Sequence, residues 1–487
     1  MNKHYEKSEY LLGIDVGTTT VKSVLYNTAG EIIAKASREY QTIHPKPGWA
    51  EHSAQLWWEL TKETIHEILA KTGSSTKNKI AGIGVSSLSP VVLPVDENGE
   101  PLRPAIIWMD ARGGRLHDTL PKFRWLKQNE PDTLRKTHKF LSGNGFINHR
   151  LTGQFTLDIT QNLGAGDPET HKVVDPELFP KSRFFSEVIG EVTKKAAQET
   201  GLAEGTPVVA GATDALSAIL GSGTVRAGRA VEFTGHSCGL MICTDKLYPK
   251  LRDEGLFSEG EMGFYVVSAA MSACGGLLRW FRDALGHLEQ ESAGRLGLSP
   301  YRIMDLEASR VPPGSDGLII LPYIAGERCP IWNANARGVI FGLYLTHSRA
   351  HIIRAILESI AYGLRHNIEI AERGGVVIEE LRATGGGSKS DLWLQIKADV
   401  LNKPIHRVSA ECETLGDAIM AGNGVGLFPD LFAASEELAK VEKVVNPNPQ
   451  NHKLYTKLYE IYREIYDSLK TSFEKLAKIG ESNLDTA

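Results

Sequence analysis

Apolar residues first gather at YLLGIDV, residues 10–16, and again at TVKSVLY, residues 20–26, followed by a turn at Asn27 to Gly30 and the alternating run EIIAKASREY. Short apolar runs and period-two alternation bounded by turn residues predict strands joined by tight turns. The spacing then changes. In AQLWWELTKETIHEILAKT, residues 54–72, apolar positions recur at three and four, with Ser53 placed to cap the start and Gly73 to end it, which predicts a helix. KIAGIGVSS, VVLPV and AIIWMDAR read as further strands, so this part of the chain is an α/β domain.

Further along, GRAVEFTGHSCGLMICTD repeats the opening pattern of apolar strand, Gly/Thr/Ser turn and second apolar strand. That is a weak internal repeat. A second α/β domain continues through the amphipathic helix SRAHIIRAILESIAYGLRHNIEIAERG and the strand and glycine turn ELRATGGGSKSD. Near the end, Tyr455, Tyr459, Tyr462 and Tyr466 recur at helical spacing and are expected to form a packing stripe rather than a ligand box.

Composition narrows the function classes. The 487 residues are 42% hydrophobic and 23% charged, enough for two or three domains, and the net charge of -5 is spread along the chain. No basic face is available for nucleic acid or an anionic membrane, so a small-molecule partner is expected. Cys238, Cys243, Cys274, Cys329 and Cys412 form no CxxC pair and no Cys/His cluster of zinc-ligand spacing. Reduced thiols and a cytoplasmic location are the expectation. The stretch MNKHYEKSEY lacks the apolar region of a signal peptide, and no run reaches the ~18 apolar residues of a membrane span.

Four stretches carry candidate chemistry. In DVGTTT, Gly17 permits a tight turn, and Thr18 and Thr19 offer hydroxyls and successive N–H donors that can cradle an anion. Asp15 repels phosphate but suits Mg²⁺, directly or through water. The same residues also suit a plain hairpin turn. In GTPVVAGATDALSAILGSG, Asp214 stands where a strand meets a helix; Asp214 or Thr213 can be the helix cap, or Asp214 can take a proton from an attacking hydroxyl. In AIIWMDARGGR, Asp110 and Arg112 would share one face of an extended segment, suited to a polyhydroxylated ligand or to a surface ion pair. In ATGGGSKSD, three glycines expose backbone to a flat or anionic group. No Walker A pattern and no GxGxxG after a strand occur.

GIDVGTTTVKSVLYN, PLRPAIIWMDAR, PVVAGATDA, LPYIAGERCPIWNANARGVIFGL, ATGGGSKSDLWLQIKADVLNKPI and ECETLGDAIMAGNGVG, in that order, resemble the FGGY carbohydrate kinases from about residue 10 to residue 450. The resemblance implies an α/β, two-domain ribonuclease H-like fold of the actin-like ATPase and sugar kinase type, with the active-site cleft between the domains. It implies a division into residues 10–245, with sugar site, first phosphate hairpin and base; 246–450, with the adenosine site; and a C-terminal amphipathic helix and tail, 451–487.

The activity implied is transfer of the γ-phosphoryl group of ATP to a hydroxyl of a small sugar, with Mg²⁺ as cofactor. A ketopentose is the first expectation; a sugar acid or polyol such as gluconate or erythritol is the alternative, and an actin-fold ATPase without acceptor the more distant one. Homodimers are common in the family. Carried over by motif, Asp214 is the general base, Asp15 the metal-associated aspartate, and Gly17, Thr18 and Thr19 the first phosphate loop. Gly235, His236 and Ser237 form the second. Gly385, Gly386, Gly387 and Ser390 line the adenosine pocket, with Ala421 and Gly422 nearby. Ser87, Leu88, Ser89, Pro90, Asp110 and Arg112 are assigned with Asp214 to the acceptor.

Two departures stand out. His236 replaces the threonine of a Gly-Thr-Ser turn, and Ser87-Leu88-Ser89-Pro90 replaces the Gln-Met-His-Gly run usual in xylulokinases. Glu327, Arg328 and Arg337 in LPYIAGERCPIWNANARG are read as domain-closure or interface scaffolding.

Overall fold

The computed structural model describes residues 10–484 apart from 47, 115–117, 162 and 261–263, with side chains through residue 479. The polar stretch before Tyr10 and the last three residues lie outside that range. Backbone contacts divide the chain into two units. The first comprises residues up to Gly223 together with Glu411–Ala439, and the second Thr224–Ala410 with the residues from Lys440 onward.

The first unit is built on a seven-stranded sheet in which Tyr10–Val16 and Ile80–Ser87 run parallel at the centre. Thr20–Asn27 and Ile32–Glu39 extend it as a meander on one side, and Pro207–Val209 and Val188–Glu191 on the other. Ala212–Thr213 joins the end of Ile80–Ser87, displaced from Pro207–Val209 by Gly211 at φ +74°. Alternation divides the central strand between two faces. Leu12, Ile14 and Val16 pack with Trp57, Ile65, Phe146 and Leu151 of the helices Ala54–Thr72 and Gly143–Thr152, each fully buried side chain contributing about 1.5–3 kcal/mol.

The opposite face is almost bare of side chains, because Gly13 alternates with Asp15 on one strand and Gly82 and Gly84 with Ser86 on its neighbour. The helix Cys412–Gly424 lies directly on these glycines. A Cβ on Gly13 would stand 2.0 Å from Thr414 O, and one on Gly84 2.1 Å from Asp417 O. The same helix crosses Asp214–Gly221 where Gly221 meets Cys412 O and Gly416 meets Ser217 O.

The second unit repeats this topology. Its sheet runs Phe257–Glu259, Tyr265–Met271, Cys238–Thr244, Arg229–Thr234, Glu380–Thr384, Ile405–Arg407, Lys443–Val445, with the meander antiparallel, the next two pairings parallel and the far edge antiparallel. The weak repeat in the sequence is therefore a repeat of strand order. The hairpin at 229–244, grouped with the first domain on sequence grounds, pairs through Arg229–Phe233 with Glu380–Thr384 and lies in the second unit. Tyr455, Tyr459 and Tyr462 of the helix Pro449–Leu484 are buried around Tyr362 of the helix Arg349–Arg373, so the tyrosine stripe is packing.

Candidate active site

In the first unit, three parallel strands end together. Register pairs Asp15 with Ser86 and Ser86 with Ala212, then Val16 with Ser87 and Ser87 with Thr213. The strand ends thus bring the first turn and Asp214 to one edge of the sheet, where α/β proteins place chemistry. The turn is held from inside: Gly17 N donates to Thr20 O at 3.0 Å, Tyr40 OH donates to Gly17 O, Tyr40 N donates to Thr19 O at 2.9 Å, and Trp108 Nε1 donates to Thr18 Oγ1 at 3.1 Å. The last three engage carbonyls and the Thr18 hydroxyl, not the N–H groups of Thr18 and Thr19.

Asp15 is buried, and burial pushes its carboxyl up to about 8 against the pull of Lys22, whose Nζ lies 3.8 Å away. Glu413 and Asp214 raise it further, while the Ser86 hydroxyl, donating at 3.3 Å, lowers it. Two further acids thus act on Asp15, and Glu413 Oε2, buried without a hydrogen bond, lies 3.6 Å from the same Lys22 Nζ, so one cation faces both carboxylates. Excess negative charge of this kind is what a divalent cation relieves. Among the described residues no three carboxylate, imidazole or thiol groups form a metal cage. Mg²⁺ does not require one, since it binds through one or two carboxylates with water and substrate phosphates completing its shell.

Thr213, rather than Asp214, caps the helix Asp214–Gly221: its Oγ1 accepts from Leu216 N at 3.2 Å. Asp214 is half-buried in the first turn, with Oδ1 accepting from Ala215 N at 2.8 Å. Beneath it lies a buried polar network that no local sequence signal announced. Thr213 N donates to Thr160 Oγ1 at 2.9 Å, Thr160 bonds to Asp158, Asn144 Nδ2 donates to Asp158 at 2.8 Å, and Gln161 Nε2 donates to Ser87 Oγ at 3.1 Å. Burial raises Asp158 to about 6.

Asp417 is a further residue that sequence reasoning passed over. Fully buried, it accepts from Ser86 Oγ at 2.9 Å and from Ser217 Oγ at 2.8 Å, which ties the strand beside Asp15 to the helix that begins at Asp214. Its signal was present in LGDAIMAG, a carboxylate set in a run of small and apolar residues.

Several expected acceptor residues are drawn into the interior. Leu88 is fully buried in the core, and Ser87 is buried with its hydroxyl committed to the network, because Leu88 N pairs with Val16 O at 3.0 Å and draws both inward. Ser89 and Pro90, half-buried, follow them. Asp110 and Arg112 are not on an extended strand; Ala105–Ile106 is short, and a turn follows it, with Asp110 N donating to Ile107 O at 3.1 Å. The two side chains do meet, but in the interior. Arg112 donates from Nε at 2.9 Å and Nη2 at 2.8 Å to Asp110 and from Nη2 at 2.6 Å to Glu51, with its guanidinium 3.9 Å from the Trp49 ring centroid. The guanidinium is thus ion-paired and stacked in the interior, with Nη1 buried and without a hydrogen-bond partner.

In the second unit, Arg229–Thr234 and Glu380–Thr384 are neighbouring parallel strands, so their following turns, 235–237 and 385–387, leave from one edge. Gly385, at φ +79°, and Gly387 are buried against Thr234, where added Cβ atoms would stand 2.9 and 2.8 Å from its atoms. Gly386 alone is exposed. Ser390 caps the helix Asp391–Leu401, accepting from Trp393 N at 3.0 Å and donating to Asp305 at 2.9 Å. Below the turns, the fully buried Lys397 Nζ lies 2.5 Å from Glu232 and 3.0 Å from Thr234 Oγ1. Glu327 accepts from Ser272 N at 2.6 Å and Arg328 N at 2.7 Å, both within the second unit. Ala421 and Gly422 pack on Gly82 and Leu11 in the core of the first unit.

Residues 10–120 and 115–221 match the N-terminal domain, and residues 233–424 the C-terminal domain, of the FGGY family of carbohydrate kinases. The chain belongs to that family. It is 31% identical over 494 residues to a xylulose kinase of Staphylococcus epidermidis, covering 95% of this chain and 97% of the relative. A gluconokinase of Bacillus subtilis is 28% identical over 96% of this chain and 98% of its own. The crystal structure of gluconate kinase from Lactobacillus acidophilus superposes with a TM-score of 0.81 at 27% identity, covering 96% of this chain and 99% of that one. This FGGY kinase has the two-domain α/β fold of the actin-like ATPases and sugar kinases and is a sugar phosphotransferase with ATP as phosphate donor. Among the described residues no helix is long and apolar enough to cross a membrane.

Proposed function

We propose that the strand-end cluster of the first unit is the phosphoryl-transfer site, with Asp214 as general base and Asp15 as the carboxylate that holds Mg²⁺. The observation that carries this reading is the register placing Asp15, Ser86 and the Thr213-Asp214 step side by side, with Asp214 close enough to perturb Asp15. Phosphoryl transfer proceeds through a loose transition state, so the protein chiefly positions the groups and offsets charge. Asp214, half-buried at a helix start that Thr213 and Thr160 hold, is assigned to orient an acceptor hydroxyl and take its proton. The turn 17–19 supplies donors from a frame fixed by Tyr40 and Trp108. Bound Mg²⁺ would neutralise phosphate charge. The turns 235–237 and 385–387 are assigned to the polyphosphate and adenosine ends of ATP.

The acceptor proposed is a ketopentose, supported by relatives named xylulose kinase. A sugar acid is the second reading, favoured by the gluconokinase relatives and by Ser87 to Pro90 standing where xylulokinases carry Gln-Met-His-Gly. A homodimer is proposed as the working assembly. A coupled ADP-release screen over pentuloses, hexuloses, aldonates and tetritols tests the reading. Wild type should turn over one of these classes, and Asp214→Asn should lose ~10²- to 10⁴-fold in turnover while still binding nucleotide. Full turnover by the variant would exclude Asp214 as the base.

A further inference from the structure

The tip of the second hairpin carries a histidine whose surroundings suit neither a packing residue nor a solvated one. A Cβ on Gly276 would stand 2.8 Å from Cε1 and 2.9 Å from Nε2 of His236, so the imidazole lies against the first turn of the helix Cys274–Ala284, and Gly276 N donates to His236 O at 2.9 Å. A side chain at 276 would push the ring out of this position. Nδ1 is buried without a hydrogen-bond partner. The charges acting on the ring are both cationic, Arg279 from the same helix and Arg328 from the neighbouring loop. Burial first, then these two guanidiniums, holds the imidazole below the usual histidine range, so it is neutral at pH 7. The groups flanking those charges do not reverse the field. Glu327, beside Arg328, is raised to about 7 by burial, and burial keeps the Cys274 thiol protonated.

We propose that His236 is a phosphate-binding residue that works as an imidazolium, so that this kinase takes up one proton from solvent when the nucleotide's polyphosphate binds. The proposal rests on the assignment of the 235–237 turn to the polyphosphate. A phosphate anion brought against Arg279, Arg328 and the helix start cancels the repulsion that keeps the ring neutral. Protonated, the ring then donates a charge-assisted hydrogen bond to the phosphate that a neutral group does not match. The step balances as one N–H bond formed on the ring with a proton drawn from solvent, and nucleotide dissociation breaks that bond and returns the proton.

Titration calorimetry of the full chain with ADP at pH 7, in buffers of low and high ionisation enthalpy, reads the protons taken up. Wild type is expected to take up about half a proton or more per ADP beyond either His236→Gln or His236→Thr, the nucleotide's own titration being common to all three. Both variants should bind ADP about tenfold more weakly. AMP, with one phosphate, should show a smaller difference. Equal uptake in wild type and both variants, with ADP still bound, would overturn the proposal and leave the turn's assignment standing. Failure of wild type to bind ADP would remove the assignment and the proposal together.

Discussion

Replacing Gly84 by alanine perturbs the seat of the Cys412–Gly424 helix without touching any group assigned to chemistry. The new Cβ would stand 2.1 Å from the Asp417 carbonyl oxygen and 2.7 Å from its carbon. Ordinary contacts lie near 3.5 Å, so strand and helix must part by roughly 1 Å or more, and neither atom belongs to a flexible side-chain end. Overpacking of this sort costs about 1–3 kcal/mol. Asp417 rides on the displaced turn, and its bonds from Ser86 at 2.9 Å and Ser217 at 2.8 Å stretch beyond hydrogen-bonding range. A misplacement of about 1 Å in a catalytic frame costs on the order of 10²-fold in rate. Urea unfolding followed by circular dichroism should show the midpoint lowered by about 0.5–1 M, and ADP release at saturating substrates should fall on the order of 10²-fold. Gly294→Ala is the control: exposed within the helix His287–Leu296, with nothing near its Cβ, it should gain about 0.5–1 kcal/mol and leave turnover unchanged. Wild-type midpoint and turnover in Gly84→Ala would refute the reasoning that this glycine seat positions the site.

Lys397→Met leaves Glu232 buried and unpaired beneath the two turns of the second unit, and should cost about 3–5 kcal/mol in urea unfolding; a loss under about 1 kcal/mol would show the pair to be hydrated. Arg112→Ala takes from Asp110 its guanidinium, while Glu51 keeps Arg103 and Asp110 keeps the amides of residues 50 and 112. It should lower stability by about 3 kcal/mol with the acceptor KM little changed, whereas a large KM change at intact stability would return Arg112 to the acceptor. His52 is buried and lowered to about 4, by desolvation first and then by His44. Its unfolded form binds a proton below about 6.5 and its native form does not, so stability falls as pH drops from 6.5 toward 4, by about 2 kcal/mol at pH 5. Unfolding at pH 7 and pH 5 should show that loss reduced by about this amount in His52→Gln; an unchanged loss would assign it elsewhere.

Local pattern alone carried the strands Tyr10–Val16 and Thr20–Asn27, the helix Ala54–Thr72 with its Ser53 cap, the tyrosine stripe and the repeated hairpin, because each depends on residues close in the chain. The turn with its aspartate and threonines and the strand end at Asp214 were legible for the same reason. Asp110 and Arg112 were legible as a pair but not as an interior one, since burial depends on Trp49 and Glu51, some sixty residues away. Asn144 and Asp158 were out of reach altogether, and Asp417 was visible only as a carboxylate in an apolar run. The role of Asp417 exists only because bare glycine rows at Gly13 and Gly84 let a helix from residue 412 settle on a strand that ends at residue 16, and that of Asn144 because it meets Asp158 and the Ala210 carbonyl; contacts between residues so far apart leave no periodic trace in the chain. Sequence thus determined the elements and the reactive turns; the tertiary structure decided which polar groups would share a desolvated space, and it is desolvation, not residue type, that sets their charges and couples Asp15 to its neighbours.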